Sequence, residues 1–194
     1  MVIAPQIMSL EDYFKYENET ENRYELENGE LLITPPESDL NLRIASFLFA
    51  YFAIQGISSD RLRIGTEIVV TGSKATVRLP ELIILSEELV IALKSASRST
   101  ITMDMPPPKL VVEVVSPGKK NRDRDYRYKR SQYQARGILE YWIVDPIEQK
   151  ITIFNLVEGL YKEKIFKEKE AIASPILSEL NLTSQLTVAK ILDQ

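Results

Sequence analysis

The chain has 194 residues, of which 44% are hydrophobic and 27% are charged, and its formal net charge is −4. This length suffices for a full hydrophobic core, so we expect residues 1–194 to form a single domain. Cysteine and histidine are both absent, which excludes disulfides, zinc-thiolate sites and a Ser-His-Asp triad. Any metal would be held by oxygen ligands, which favours Mg²⁺ or Mn²⁺.

Neither a membrane span nor a signal peptide is predicted. No run of about 18 apolar residues is present, and the N-terminal segment lacks a basic region before an apolar core. A location in the cytoplasm therefore follows by default.

A short helix and a hairpin are predicted to open the chain. Ser9 and Asp12 resemble a capping box for a helix over about 9–17. Further on, Asn28-Gly29 predicts a two-residue β-turn, because both positions accept a positive φ.

This hairpin would place like charges on one face. Glu27 lies opposite Glu30 in the expected register, and Glu25 shares their face. Such a face is either solvated or lies near a cation that offsets the repulsion.

The next segments alternate between helix and strand. Ser38 can cap a helix to about Gln55, whose apolar residues recur at helical spacing. Strands are predicted around 62–70 and 77–85, and a further helix over 86–98. Glu81 precedes the apolar run of the second strand.

A central strand with an unusual residue follows. Residues 110–115 form a β-branched run, typical of a strand covered on both faces, yet Glu113 lies inside it. A buried carboxylate is costly unless a cation or hydrogen-bond donors meet it. Glu113 therefore predicts a partner, either a metal or a lysine.

The following helix can supply that partner. Asn121 is the expected cap, and Gly137 ends the helix at Arg136. On its inner face the helix carries Tyr126, Lys129 and Tyr133 at spacings of three and four. Lys129 can approach Glu113, unless it is a snorkelling lysine or part of a structural ion pair.

The same helix region is strongly basic. Residues 119–130 contain seven Lys or Arg and two Asp, a local net charge of +5. This segment either attracts a phosphate backbone or is a solvated helix face. Beyond it we expect a buried strand over 138–144, a second hairpin over 151–166 and a final helix from Thr187.

Glu81, Glu113 and Lys129 could meet at one edge of the sheet. Two carboxylates and a backbone carbonyl are suitable ligands for Mg²⁺, with water in the remaining positions. A metal lowers the pKa of a bound water and offsets phosphate charge, and a lysine can orient or deprotonate a nucleophile. Phosphodiester hydrolysis is the matching reaction.

Several motifs together resemble the Uma2 family of the PD-(D/E)xK restriction-endonuclease-like superfamily. They are RYEL-x-NGEL, PPxLVVEVVSP and DRxxxxKxxxYxxxGIxEYWIVDP, and the resemblance runs from about residue 9 to the C-terminus. It implies an α/β fold of the α+β mixed type, with a central mixed sheet flanked by helices and a hairpin near each terminus. It also implies a divalent-metal nuclease site, nucleic acid, most simply DNA, as partner, and a homodimer.

The resemblance also assigns roles to individual residues. Glu81 matches the first metal-binding acid and Glu113 the second, and the carbonyl of Val114 is a further metal ligand. Lys129 matches a lysine that has migrated to the following helix. Glu30 is similar to an auxiliary acid.

This chain departs from the family pattern at two positions. Glu81 replaces an aspartate, and Asn41 stands where histidine is common. Val115 stands where the motif lysine would follow Glu113, but migration of that lysine to the next helix is common in this family. The leading hypothesis is a metal-dependent nuclease, and the alternative is an inactive DNA-binding or protein-interaction module. A nucleotide-binding protein lacks support because no phosphate-loop motif is present, and Ser116 has no histidine to activate it.

Overall fold

Two mixed β-sheets form the centre of the computed structural model, which describes residues 7–16, 23–34, 36–180 and 184–194. The strands are β1 (Arg23–Glu27), β2 (Glu30–Thr34), β3 (Leu62–Arg63), β4 (Glu67–Val70), β5 (Thr76–Arg78), β6 (Leu82–Ile84), β7 (Thr100–Ile101), β8 (Leu110–Val114), β9 (Glu140–Asp145), β10 (Lys150–Val157) and β11 (Leu160–Lys167). The helices are α1 (Leu10–Lys15), α2 (Asp39–Ile54), α3 (Glu87–Lys94), α4 (Lys119–Asp123), α5 (Arg130–Arg136), α6 (Pro175–Ser178) and α7 (Val188–Leu192). A 3₁₀ turn covers Ser59–Arg61, and a π-helical segment, Arg124–Lys129, joins α4 to α5.

The first sheet has the order β2-β1-β5-β4-β7, and the second has the order β11-β10-β9-β8-β6-β3. Each sheet has one parallel pair, β4 with β7 and β8 with β9, and its other pairs are antiparallel. The predicted mixed α/β class is confirmed, as are the hairpins β1-β2 and β10-β11. The strands form two sheets where the sequence predicted a single central one.

The core lies on both faces of the second sheet. On one face, alternate residues of β8 pack with α2 and the C-terminal segment, and on the other face they pack with α5, α3 and the first sheet. Because side chains alternate along a strand, Val112 and Val114 point to the first cluster while Val111 and Val115 point to the second. Glu113 therefore points toward α5 and the first sheet.

Two predicted strands are each divided between the sheets. The run 62–70 separates into β3 and β4, with Gly65 between them at φ +75°. The run 77–85 separates into β5 and β6 at Leu79-Pro80, where proline supplies no N–H for a ladder. The short elements β7 and α6 were not predicted, because two to four residues give no measurable periodicity.

The helix caps follow the sequence signals with one exception. Ser9 forms a capping box with Asp12, and Ser38 and Thr187 cap α2 and α7. The prediction for Asn121 was wrong, because α4 begins at Lys119 and the Asn121 amide instead donates to the carbonyl of Pro117 over 2.7 Å. In the described parts of the chain, no helix is long and apolar enough to cross a membrane.

The first hairpin is fixed at its turn. Glu27 pairs with Glu30 as predicted, and Asn28 and Gly29 have φ values of +50° and +82°. The Gly29 N–H donates to the carbonyl of Ala75 over 2.7 Å. These contacts hold β1 and its acidic side chains in a defined place.

Gly29→Ala should destabilise the protein more than Gly159→Ala. Both glycines have φ near +80°, which costs an L-residue about 1–2 kcal/mol. A Cβ at Gly29 would also lie 2.5 Å from Cγ2 of Ile7, whereas a Cβ at Gly159 meets nothing within 4 Å. We expect roughly 1 kcal/mol or more of extra loss at Gly29, measured by urea denaturation. Equal losses would show that the turn tolerates the methyl group.

Candidate active site

A buried lysine joins carboxylates from both sheets. The Nζ atom of Lys129 lies 2.7 Å from Oε2 of Glu113 on β8 and 3.6 Å from Oε1 of Glu25 on β1. The carboxylate of Asp125 lies 3.6 Å from the same nitrogen. Lys129 is only 2% exposed, and the three acids are buried as well. One ammonium group is thus shared by three acidic side chains.

Helix geometry brings two of these groups inward together. Asp125 and Lys129 are four residues apart within the π-helical segment, and both are buried. Single π-helical turns occur frequently at functional sites, because the extra residue redirects side chains. The tyrosine hydroxyl of Tyr141 donates to the carbonyl of Asp125 over 3.1 Å, which anchors the segment to β9.

Both oxygens of Glu113 have a donor. Lys129 donates to Oε2, and the hydroxyl of Tyr133 donates to Oε1 over 2.6 Å. Burial, and then the charge of Glu113, raise the pKa of Tyr133 well above its usual range, so the phenol keeps its proton. The sequence predicted that a buried Glu113 needs a partner. These two hydrogen bonds offset the free-energy cost of removing its carboxylate from water.

Glu25 is fixed by a fully buried arginine. Nη1 of Arg78 lies 3.1 Å from Oε2 of Glu25, and Nη2 lies 2.9 Å from Oε1 of Glu27. The third nitrogen of the Arg78 guanidinium, Nε, donates to the side-chain oxygen of Gln132 on α5 over 2.9 Å. Arg78 therefore connects the first hairpin to the helix that follows Lys129.

The charges around Glu25 stabilise its ionised form. Burial alone would raise the pKa of this carboxyl, but Lys129 and Arg78 together hold the pKa at about 2. The backbone N–H of Leu79 also donates to Oε1 over 3.1 Å. Glu25 is therefore a fixed negative charge across the physiological range.

Glu81 lies beside Glu113 at the end of β8. Its Oε2 accepts the backbone N–H of Val114 over 3.1 Å. Burial, and then the neighbouring charge of Glu113, raise the pKa of Glu81 well above its usual range. Burial and the charge of Glu113 therefore favour the protonated form of Glu81.

A cleft reaches Glu81 from the surface. Glu37 and Asn41 at the start of α2 lie on one side, and Ile64, Leu79 and Pro80 contribute apolar walls. The Asn41 amide lies within 3.5 Å of the Val114 carbonyl, 3.2 Å of Glu37 and 3.3 Å of the Ser116 hydroxyl. Glu81 is thus accessible, while Lys129 lies behind it.

The donor set suits a hard divalent cation with few side-chain ligands. No group of three or more acidic side chains in the described ranges is arranged to hold a metal. The Glu81–Glu113 pair remains, and two repelling carboxylates are stabilised by a shared cation. The carbonyl of Val114 adds a third oxygen at the same strand end. Carboxylate and carbonyl oxygens are the type of ligand that hard divalent cations take.

The structure brings together four of the residues that the sequence singled out, Glu81, Glu113, Val114 and Lys129. It does not bring Glu30 to them: that side chain is exposed, and within the described residues it has no hydrogen bond or ion pair with the cluster. Glu25, on the same face of the hairpin, lies there instead.

Sequence analysis did not assign site roles to Glu25, Arg78 or Tyr133. The like-charged hairpin face was a signal for Glu25, because a nearby cation was one of its two interpretations. Tyr133 had a signal too, since it lies one helical turn from Lys129. Arg78 had none, because an arginine at a strand end is ordinary.

The basic segment 119–130 is mostly paired within the protein. Its internally engaged cations are Arg122 with Asp145, Arg124 with Asp125, Arg127 with Asp123, Lys129 with Glu113, and Arg130 over the Phe154 ring. Lys119 and Lys120 are exposed, and neither forms an ion pair with another described residue. Among the described residues, these two lysines and the largely exposed Arg127 are the cations of this segment that are open to an external partner.

The two sheets, their flanking helices and the acid-lysine cluster define a mixed α/β protein with a buried charged site. The model of the Uma2 family, described as "Putative restriction endonuclease", matches residues 10–189. The chain therefore belongs to the Uma2 family, and the predicted resemblance is confirmed.

One solved structure with the same fold is the crystal structure of a "putative nuclease belonging to DUF820" from Anabaena variabilis ATCC 29413. Its TM-score is 0.68 at 13% identity, over 96% of this chain and 98% of that chain. At this identity the likeness shows the fold, which agrees with the predicted fold class. No curated protein matches the chain.

Lys129→Met should be strongly destabilising. Removing the ammonium leaves Glu113 and Glu25 buried without their common partner, which typically costs about 3–5 kcal/mol. Lys109→Met is the matched control, because Lys109 pairs with the exposed Glu179 and such pairs contribute at most about 1 kcal/mol. Chemical denaturation measures both. Similar losses for the two variants would contradict the shared-charge interpretation.

Proposed function

We propose that this protein is an endonuclease that depends on Mg²⁺ or Mn²⁺ and hydrolyses phosphodiester bonds of nucleic acid, with DNA as the expected substrate. The observation that carries the proposal is Glu81 at the wall of a cleft, with the buried Glu113 next to it and Lys129 bound to Glu113. Membership of the Uma2 family and the nuclease-like fold support the reaction class.

Each group in the site has a chemical role. Glu81, Glu113 and the carbonyl of Val114 would hold the cation. Such a cation lowers the pKa of a water molecule and offsets charge on the phosphate. Tyr133 keeps Glu113 in one orientation through its 2.6 Å hydrogen bond.

Lys129 acts as a cation in this proposal and not as a base. Burial would lower the pKa of the ammonium, but the charges of Glu113, Glu25 and Asp125 outweigh burial and raise it. An ammonium has three N–H donors and no acceptor. Lys129 would therefore orient the attacking water and stabilise negative charge that develops at the phosphate.

A second function has its own supporting observation. Both oxygens of Glu113 already accept hydrogen bonds, and the Asn41 amide lies against the Val114 carbonyl. A satisfied network of this kind can serve the fold alone. The alternative is therefore an inactive DNA-binding or protein-interaction module, in which Glu81 in place of aspartate reflects loss of the metal.

Cleavage by the purified protein decides between them. We expect single-stranded, double-stranded or branched DNA to be cut with Mg²⁺ or Mn²⁺ and left intact with EDTA. Glu113→Gln and Glu81→Gln should each reduce the rate by about 100-fold or more, because each removes a charge on which the site depends. Glu163→Gln, the same change at an exposed residue of β11, should leave the rate unchanged. If the parent protein is inert in every metal but binds DNA as the variants do, the binding module is the better description.

Nucleic-acid binding should depend on the two free lysines of the basic segment. Each Lys-phosphate contact contributes about 0.9 to the slope of log K against log salt. The double change Lys119→Ser with Lys120→Ser should therefore lower that slope by about 1.8. The control replaces Lys162 and Lys169, which are exposed on and just after β11, the edge strand that lies three positions from β8 in the second sheet.

Fluorescence anisotropy with inactive Glu113→Gln as the background measures both slopes. Equal slopes for the two double variants would place the nucleic acid elsewhere. The auxiliary role of Glu30, a homodimer and a location in the cytoplasm stay predictions from the sequence.

A further inference from the structure

We infer that Glu25, fixed by Arg78, is the positioning residue that holds the ammonium of Lys129 in the site. The catalytic consequence of this inference rests on the proposed nuclease function. The contact itself does not, and can be tested in the protein alone.

Glu113 cannot be the sole anchor of Lys129. Its carboxylate is shared among Lys129, Tyr133 and the neighbouring Glu81, and any ligand of the Glu81–Glu113 pair competes for the oxygens that Lys129 contacts. A lysine side chain has four rotatable bonds, so losing one contact allows the ammonium to move. A second, independent carboxylate is needed to keep it in place.

Glu25 meets that need better than Asp125. Oε2 of Glu25 is bound by Arg78 and Oε1 accepts the N–H of Leu79, so its orientation is fixed while Oε1 faces Lys129 at 3.6 Å. Asp125 lies on the same helical segment as Lys129 and shares Oδ1 with Arg124. Any shift of that segment moves Asp125 and Lys129 together. Glu25 lies on β1 of the first sheet and does not move with the segment.

Arg78 makes the anchor rigid. It is fully buried, and its guanidinium reaches Glu25, Glu27 and Gln132 within 2.9–3.1 Å. Gln132 lies three residues after Lys129, so Arg78 fixes Glu25 relative to the helix that carries the lysine. Glu27 touches Arg78 but has no ion pair with Lys129 among the described residues.

This difference supplies a matched pair of variants. Glu25→Gln removes the charge next to Lys129, and Glu27→Gln removes the other carboxylate of Arg78 with no contact to Lys129. We expect Glu25→Gln to lower kcat by roughly 10-fold to 100-fold with KM within about twofold, because misplacing a reacting group by about 1 Å has effects of that size. Glu27→Gln should change kcat by less than about threefold, and Glu25→Asp should recover part of the lost kcat.

A readout without catalysis tests the contact directly. The rate of acetylation of Lys129 by acetic anhydride, followed by mass spectrometry without metal or nucleic acid, reports how well the amine is held. We expect severalfold faster labelling of Lys129 in Glu25→Gln but not in Glu27→Gln, with labelling of Lys109 constant as an internal reference. If Glu25→Gln does not fold, Arg78→Lys replaces it. This variant keeps the positive charge but loses the guanidinium contacts to Glu25 and Glu27, and it should also speed the labelling of Lys129.

The possible outcomes separate the two proposals. Labelling of Lys129 that is unchanged in Glu25→Gln and in Arg78→Lys overturns the positioning role, whatever the parent protein cleaves. If Glu25→Gln speeds the labelling of Lys129 but the parent protein cuts no substrate, the positioning role is supported and the nuclease function is rejected. Equal losses of kcat in Glu25→Gln and Glu27→Gln would mean that both act only through stability, and would also overturn the inference.

Discussion

The ammonium of Lys129 is the charge on which the centre of the molecule depends. An isolated buried carboxylate costs several kcal/mol, and here carboxylates of β8, of the first hairpin and of the π-helical segment all lie around one nitrogen. Glu25 and Asp125 have further arginine partners, but all three acids gain from the ammonium while the other elements hold Lys129 in reach. The hairpin, the central strand and the helix are therefore coupled energetically through a contact that none of them could make alone.

Backbone geometry explains why this coupling is possible. Strand β8 is covered on both faces, so a single polar residue within it must point into one of two apolar layers. Alternation sends Glu113 toward α5, where the π-helical segment turns Lys129 and Asp125 inward.

The sequence predicted the features of this arrangement that depend on local pattern, but not the contacts between distant elements. Glu113 was identifiable because a carboxylate inside a β-branched run has a known cost, and Lys129 because its spacing from Tyr133 follows the helix period. The sequence could not show which of Glu25 and Glu30 reaches Lys129. The strand period of two places both side chains on one face, but it does not show which end of the hairpin packs against the helix. The division of 62–70 and 77–85 between two sheets was equally hidden, since a change of sheet leaves the apolar pattern intact.

The Glu81–Glu113 pair argues that the cluster is more than a structural network. Arg78, Lys129 and Tyr133 satisfy Glu25 and Glu113, and a fold that needed only internal stability would gain nothing from another acid beside them. Glu81 nevertheless lies there, its pKa raised first by burial and then by Glu113, and it lines a cleft that opens to the surface. Perturbed carboxyls of this kind concentrate at functional sites, because binding and catalysis need groups whose pKa values are shifted from their ordinary range. The position of Glu81 is the feature that the proposed cation-binding nuclease site explains and that a purely structural network leaves without a role.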